Sequence, residues 1–444
     1  MKNQNSFLVL VTSIALVYFV IISSFCALAS IEQSDHTTPY AYITNHESDN
    51  VSVIDTINNT VIATVPVKSH PFGVAVSPDG KKVYVANNDD DNVSVIDTAT
   101  RNVTCTVPIG VDLIGYFPFG VAVSPDGGRV YVTNTYKGCV TKTCKGRKHT
   151  NKEENHFSVH VIDTATNTVT DTVPVGSFPK GITVSPDGKK VYVTNSWNDN
   201  VSVIDTTINT VTVSVPVGRF PEGITINPTG TKVYVTNSLD DNVSIINTST
   251  NDVVTTVNVG INPVGVVVNP EGTKVYVTNV GNFSVPDNTV SVIDTATDNV
   301  TATVKVGQQP VGISVSPDGE KVYVANNGDD NVSIINTTTN NVTATVNRGN
   351  KPQASEQFRV SQLIAAPFGS PTLGKMPVKV IFKDKSTGMP NSWKWCFGDG
   401  KTSTAKNPVH KYTEVGKYTV SLMVKNAVDC NNIKTMHNYI TVRK

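Results

Sequence analysis

Pro179-Lys-Gly-Ile-Thr-Val-Ser-Pro-Asp-Gly-Lys-Lys-Val-Tyr-Val-Thr-Asn195, then Asp199-Asn-Val-Ser-Val-Ile-Asp205, then Asn209-Thr-Val-Thr-Val-Ser-Val-Pro-Val-Gly218, make one structural unit. It contains four short runs dominated by Val, Ile, Thr and Tyr, residues suited to a packed, pleated surface. Turn residues separate the runs. Ser185-Pro-Asp-Gly188 has proline second and glycine fourth, which suits a type I turn. The unit therefore reads as a small antiparallel four-stranded sheet.

The tetrapeptide Tyr-Val-Thr-Asn or a close variant recurs at Tyr42, Tyr84, Tyr131, Tyr192, Tyr234, Tyr276 and Tyr323, with steps of 42, 47, 61, 42, 42 and 47 residues. A period near 40 built from strands and turns marks a propeller blade. A lone sheet with Val and Ile on both faces is not stable. Seven stacked radially bury both faces and leave short edges.

The Pro-x-Gly lead-in of an inner strand occurs six times, starting at Pro71, Pro118, Pro179, Pro221, Pro263 and Pro310. The chain enters at Tyr40 directly into a second strand. The missing inner strand of the first blade is expected from the far end. Gly349-Asn-Lys-Pro352 repeats the Gly-x-x-Pro link, so roughly Ala354 to Val360 is expected to fasten the ring. The pattern resembles the YVTN-repeat propellers of archaeal surface-layer proteins over about Tyr40 to Val360. That resemblance implies a structural and interaction role in the cell envelope.

A composition shift follows. Trp393-Lys-Trp-Cys-Phe-Gly-Asp-Gly400, Asn407-Pro-Val-His-Lys-Tyr412 and Gly416-Lys-Tyr-Thr-Val-Ser-Leu-Met-Val424 resemble a PKD domain, an immunoglobulin-like sandwich. Strands are expected at Val378 to Phe382, Trp393 to Phe397, Tyr418 to Val424 and Tyr439 to Val442, with Trp395 in the core and Asp399-Gly400 in a hairpin turn. The fold class is thus all-β: a seven-bladed β-propeller followed by a PKD sandwich. The domains run 38–361 and 363–444, behind a signal peptide at 1–29. That leader has Lys2, the apolar run Phe7 to Ile22 and Ala27-Leu-Ala29 at the cleavage point. An uncleaved anchor is the alternative, because the run is nearly long enough to span a bilayer. No span is expected in the mature chain.

Formal net charge is zero and 16% of residues are charged. No basic stripe for nucleic acid is present. Cysteine suits an oxidising compartment. The PKD pattern usually has Asp where Cys396 stands and Gly near Cys430, so the two departures occur together and imply a Cys396–Cys430 pair. Cys139 and Cys144 lie close in one loop as a second candidate pair, which leaves Cys105 as a buried free thiol on an outer strand.

Three segments exceed the 42-residue module. Five extra residues lie in Val111-Asp-Leu-Ile-Gly-Tyr-Phe117, nineteen between Asn134 and Val161, and five in Val280-Gly-Asn-Phe-Ser-Val-Pro-Asp287. All follow a second or fourth strand, so all fall on one face of the ring, the mark of a binding face. The candidate interaction residues there are Leu113, Ile114, Tyr116, Phe117, Lys142, Arg147 and Phe283. The competing reading is a solvated variable loop.

Acidic loops such as Asp89-Asp-Asp-Asn92 and Asp240-Asp-Asn242 offer oxygens that Ca²⁺ prefers, and they read equally as turns. No other cofactor is expected. Asn-x-Ser/Thr occurs at Asn50, Asn58, Asn92, Asn102, Asn200, Asn242, Asn247, Asn282, Asn299, Asn331, Asn336 and Asn341, all N-glycosylation candidates. The repeat's own Asn, Ser and Thr also generate such triplets freely. No His/carboxylate set recurs, and no Cys-x-x-Cys-His or His-Glu-x-x-His is present. The expected function is a non-catalytic envelope scaffold whose partners are other envelope proteins or glycans. A secreted adhesin is the alternative, and an enzyme using the channel is the third reading.

Overall fold

The computed structural model describes residues 40–109, 116–139, 153–282, 284–347, 351–353, 365–386, 392–425 and 431–444. The leader and the expected closing strand at 354–360 lie outside them. Among the described residues no helix is long and apolar enough to cross a membrane.

Residues 40–347 form six four-stranded antiparallel sheets and one three-stranded sheet. The three-stranded one is the first blade, Tyr40–Asn45, Asn50–Asp55 and Thr60–Pro66. Blade four shows the common plan: Pro179–Val184 inside, then Lys190–Asn195, Asn200–Asp205 and Thr210–Pro216 at the rim. The inner three strands are buried almost throughout, while the rim strand alternates exposed and half-buried. That gradient explains why the first three strands read as continuous apolar runs and the fourth as Thr/Val alternation.

Each core cluster spans two blades. Tyr192, Val201 and Val203 of blade four pack on Ile224, Val233 and Ile246 of blade five. The seam between last and first blades is built the same way, from Tyr323, Val332 and Ile334 against Ala41, Ile43 and Ile54. Burial pushes the phenols of Tyr84, Tyr192, Tyr234 and Tyr276 up to about 12. These tyrosines are architecture.

The ring closes as the strand count requires. Pro352 pairs antiparallel with Asn45, the register in which Pro179 meets Asn195 and Pro221 meets Asn237. Gln353 N–H donates to Thr44 O at 2.9 Å, and His46 N–H donates to Lys351 O at 3.2 Å. A second fastening lies on the opposite face. The basic residue opening each second strand from blade two onward donates to a carbonyl of the next blade. Examples are Lys82 to Thr164 O (3.1 Å), Arg129 to Thr206 O (2.7 Å) and Lys274 to Thr337 O (2.8 Å). Lys321 does the same to Thr56 O across the closing seam, at 2.5 Å. In blade one Tyr40 takes this position, and Arg101 of blade two lies over its ring at 5.5 Å.

Residues 365–444 form two sheets. Pro367–Ser370, Val378–Asp384 and Val409–Tyr412 make the smaller. Ser392–Cys396, Gly416–Lys425 and Asn431–Arg443 are the main strands of the larger. Trp395, Phe382, Phe397 and Tyr412 fill the core, with Trp395 fully buried as its strand parity requires. Tyr412 Oη donates to Phe397 O at 2.9 Å. Trp393 is half-buried and donates from Nε1 to Asp384 Oδ2 at 2.7 Å. Gly398 and Gly400 at φ of 82° and 83° turn the chain between paired strands Ser392–Cys396 and Thr402–Ser403.

Candidate binding face

The start of each inner strand, the end of the second, the start of the third and the end of the fourth lie along one edge of a blade. In blade two the register links Pro71 to Asn87, Asn87 to Asn92 and Asn92 to Pro108. This edge is the insertion-bearing face. Two of the insertions join there: Tyr116 pairs with Tyr136 and Phe117 with Thr135, so the longer inner strand lies against the long hairpin Arg129–Cys139 and Glu153–Asp163. The third insertion extends a hairpin to Gly281 and Pro286. Phe117 is half-buried. Leu113, Ile114, Lys142, Arg147 and Phe283 lie outside the described residues.

The terminal asparagine of each tetrapeptide holds this edge together. Asn87 Nδ2 donates to Asn92 Oδ1 (2.7 Å) and Ser94 Oγ (2.9 Å), and Asn195 does the same to Asn200 and Ser202. Blade three substitutes His160, whose Nε2 lies 3.1 Å from Asn134 Nδ2. Burial lowers the His160 pKa to about 4, so the ring is neutral at ordinary pH. Gly176, Gly218, Gly260 and Gly307 pack against these asparagines, where a Cβ would meet the amide carbon at 2.6 Å.

The acidic loops are also part of this scaffold. Asp90, Asp240 and Asp329 accept from the backbone N–H of Ser69, Arg219 and Gln308. Asp199, Asp241 and Asp330 accept from Phe220, Asn262 and Lys351 at 2.7–2.8 Å. The first three hold the link that enters their own blade from the previous one, and the second three hold the link that enters the next. Among the described residues no cluster of His, Cys, Asp and Glu is arranged to hold a metal.

On this scaffold one position changes without pattern. The residue after each inner-strand proline is Phe72, Phe119, Lys180, Glu222, Val264, Val311 and Gln353. These seven residues line a cavity of about 230 Å³ at the axis of the ring, with Gly120, Gly181, Gly223 and Gly265 between them. Glycine is required there because neighbouring inner strands converge: a Cβ on Gly120 would lie 2.4 Å from Lys180 O. Lys180 Nζ pairs with Glu222 Oε1 at 2.5 Å, and it sits 5.3 Å from the Phe178 ring centroid and 5.0 Å from that of Phe220.

An aromatic arc runs out from this cavity. Phe72 meets Phe119 edge-on at 5.2 Å, Phe119 meets Phe178 at 5.6 Å, and Phe178 stacks on Trp197 at 4.8 Å with planes 7° apart. Trp197 is 54% exposed. His46 and His70 lie 4.5 Å apart beside Phe72. Burial, then the neighbouring His70, holds the His46 pKa below its ordinary value. Phe178 and Phe220 hold φ of 57° and 54°, a left-handed conformation that costs a bulky residue about 1–2 kcal/mol. The fold maintains it: Phe220 N–H donates to Asp199 Oδ1 at 2.8 Å.

The insertion lengths point to this face but not to these residues. Phe72, Phe119, Phe178, Trp197, Phe220, Lys180 and Glu222 lie inside the regular repeat. The signal that finds all but Trp197 is the one variable residue in Pro-x-Gly, together with the residue before the proline.

Of the cysteines, Cys396 is half-buried on a sandwich strand, while Cys430 and Cys144 lie outside the described residues. Cys105 is half-buried on the rim strand of blade two and forms no disulfide with a described residue.

Comparison with known proteins agrees with this architecture. Residues 371–442 match the PKD domain family model, and residues 128–230 match the YNCE-like beta-propeller model. Collagenase ColA of Bacillus cereus is 58% identical over 36 residues, and Collagenase ColQ1 of Bacillus cereus strain Q1 is 59% identical over 34. Each match covers 8% of this chain and 4% of the collagenase, so the chain spans a small part of the curated relatives it matches. Among solved structures, Kuenenia stuttgartiensis hydrazine synthase is 22% identical with a TM-score of 0.55, covering 69% of this chain and 99% of that one. A functionally unknown protein from Desulfotomaculum acetoxidans is 16% identical with a TM-score of 0.56, covering 72% and 100%. The dihydro-heme d1 dehydrogenase NirN, in complex with DHE, is 14% identical with a TM-score of 0.52, covering 74% and 78%. At these identities the likeness concerns fold alone. By fold the chain is an all-β protein, a seven-bladed β-propeller followed by a PKD domain.

Proposed function

We propose that the protein is an exported, non-catalytic interaction module of the cell envelope, which binds through the insertion-bearing mouth of its propeller. The observation that carries this reading is the aromatic arc from Phe72 to the exposed Trp197, set on the face where all three insertions fall. Exposed aromatic residues around a recessed polar group are typical anchors for a protein side chain or a sugar ring. Among the described residues the charged pair at the cavity, Lys180 with Glu222, is engaged with itself and flanked by phenyl rings, which suits recognition better than proton transfer. The PKD domain and the resemblance to surface-layer propellers favour an extracellular setting among other envelope proteins or glycans.

Retention of the purified full chain on isolated envelopes tests the face. Trp197→Ala combined with Phe178→Ala is expected to weaken retention about tenfold or more, the loss of roughly 1.4 kcal/mol. Unchanged retention would remove the face from the proposal. Immuno-electron microscopy of intact cells tests the location, and a diffuse, released protein would overturn the envelope reading.

A further inference from the structure

The Asn-x-Ser/Thr triplets divide into groups that the sequence does not distinguish. In the first group Asn50, Asn92, Asn200, Asn242 and Asn331 open the third strands. Each accepts at Oδ1 from the tetrapeptide asparagine of its own blade, at 2.7–2.8 Å. The serine of each triplet is 0–3% exposed, and its Oγ accepts from the same asparagine. Neither half of such a triplet can be read by an enzyme while the blade is folded. Blade six keeps the same clamp with Thr289 in place of the first asparagine. The triplet in this strand is therefore a by-product of the clamp.

The second group is different. Asn102, Asn299 and Asn341 open rim strands that lie at the edge of their sheets, and all three are exposed, as are their partners Thr104, Thr301 and Thr343. The architecture does not call for asparagine there. The same position is Thr60, Thr168, Thr210 and Asp252 in the other blades. Asn299 Nδ2 donates to Thr297 O at 3.1 Å and the three threonine hydroxyls donate to third-strand carbonyls at 3.2–3.3 Å, yet all six side chains stay exposed on an open strand edge, as an acceptor triplet must be. A bulky hydrophilic group there also shields an edge that could otherwise pair with another chain.

We propose that the protein carries N-linked glycans on Asn102, Asn299 and Asn341, and none on the five third-strand asparagines. In the transfer, Nδ2 forms a bond to the anomeric carbon of a diphospholipid-linked oligosaccharide. The bond from that carbon to the phosphate oxygen breaks, the lipid diphosphate leaves with the electron pair, and one amide proton is lost. The modified blades are two and seven, which flank blade one, and six, which lies beside seven. The rim strands of blades three, four and five open instead with Thr168, Thr210 and Asp252, which offer no such acceptor. Phe178, Trp197 and Phe220 lie on the sector without rim-strand acceptors, so on the binding-face reading above the glycans also set which side of the ring a partner approaches.

The test uses the full chain, exported from cells that hold an oligosaccharyltransferase for Asn-x-Ser/Thr, with a control triplet in a C-terminal tag. In protein whose tag is occupied, glycopeptide mass spectrometry should find sugar at Asn102, Asn299 and Asn341. Empty rim sites beside an occupied tag overturn the proposal, as does sugar at Asn92 or its four equivalents in folded protein. A second pair of variants reads the sorting without glycan. Asn92→Ala should lower the melting temperature by about 2–4 °C, whereas Asn102→Ala should leave it unchanged. Equal effects would overturn the division. Envelope retention plays no part in either measurement, so loss of the binding reading leaves this one standing.

Discussion

The two faces of the propeller obey different rules. On one, blades two to seven each repeat the Ser-Pro-Asp-Gly turn or a close variant and send a Lys or Arg to the next blade, while in blade one Tyr40 meets Arg101 of blade two. On the other, the backbone clamps are just as regular, but the side chains they present are Phe, Phe, Lys, Glu, Val, Val and Gln. Uniformity on the first face reflects its job of joining blades. Variety on the second is tolerated because the asparagine clamp and the aspartate ties hold the strand ends whatever side chain stands at the mouth. A repeat protein can thus diversify a surface without loosening its frame.

The largest effect should come from the frame. Asn195→Ala removes two hydrogen bonds and strands Asn200 Oδ1 and Ser202 Oγ at a closed strand end. A loss of about 2–3 kcal/mol is expected, measured by urea denaturation. An effect below about 1 kcal/mol would mean the clamp is dispensable.

Blade three offers an acid-sensitive version of the same clamp. His160 has a folded pKa of about 4 against an ordinary 6.5. The unfolded chain therefore binds the extra proton first as pH falls. Stability is unaffected by this group above about pH 6.5 and declines between 6.5 and 4, by roughly 3 kcal/mol if burial alone acts. His160→Ser, which restores the serine of the other blades, should flatten that part of the stability–pH curve. A curve unchanged by the substitution would assign the acid lability elsewhere.

On the joining face, Lys274→Ala removes one inter-blade bond to a carbonyl, Thr337 O. About 1 kcal/mol is expected in thermal unfolding. The smallest stability effect should belong to the variable face: Trp197→Ala, at a half-exposed stack, is expected to cost about 0.5 kcal/mol. Its consequence should appear in envelope retention instead. A stability loss as large as that of Asn195→Ala would erase the contrast between the faces.

The fold was legible because it rests on local chemistry repeated many times. Counting prolines against tyrosines was enough to predict a ring fastened by the far end, and Pro352 meets Asn45 as the other inner-strand prolines meet their asparagines. Trp395 was legible from strand parity. The candidate site was legible only as a face. Phe119 and Phe178 are 59 positions apart in the chain and 5.6 Å apart in space, a proximity that seven-fold convergence alone creates. The acidic loops were ambiguous because a carboxylate that caps backbone N–H groups and one that binds a cation occupy the same turns. The donors around Asp90 and Asp240 show the capping use.

The pairing of Pro352 with Asn45 also fixes an order of events in synthesis. Tyr40–Asn45 is the first strand of the ring to leave the ribosome and the last to gain its inner neighbour, because Gln353 emerges 309 residues after Thr44. Until then the nascent protein is an open arc with one unpaired strand edge at its start, the kind of edge on which chains join one another wrongly. Such a chain should depend on folding conditions that keep newly made copies apart until residue 353 has arrived.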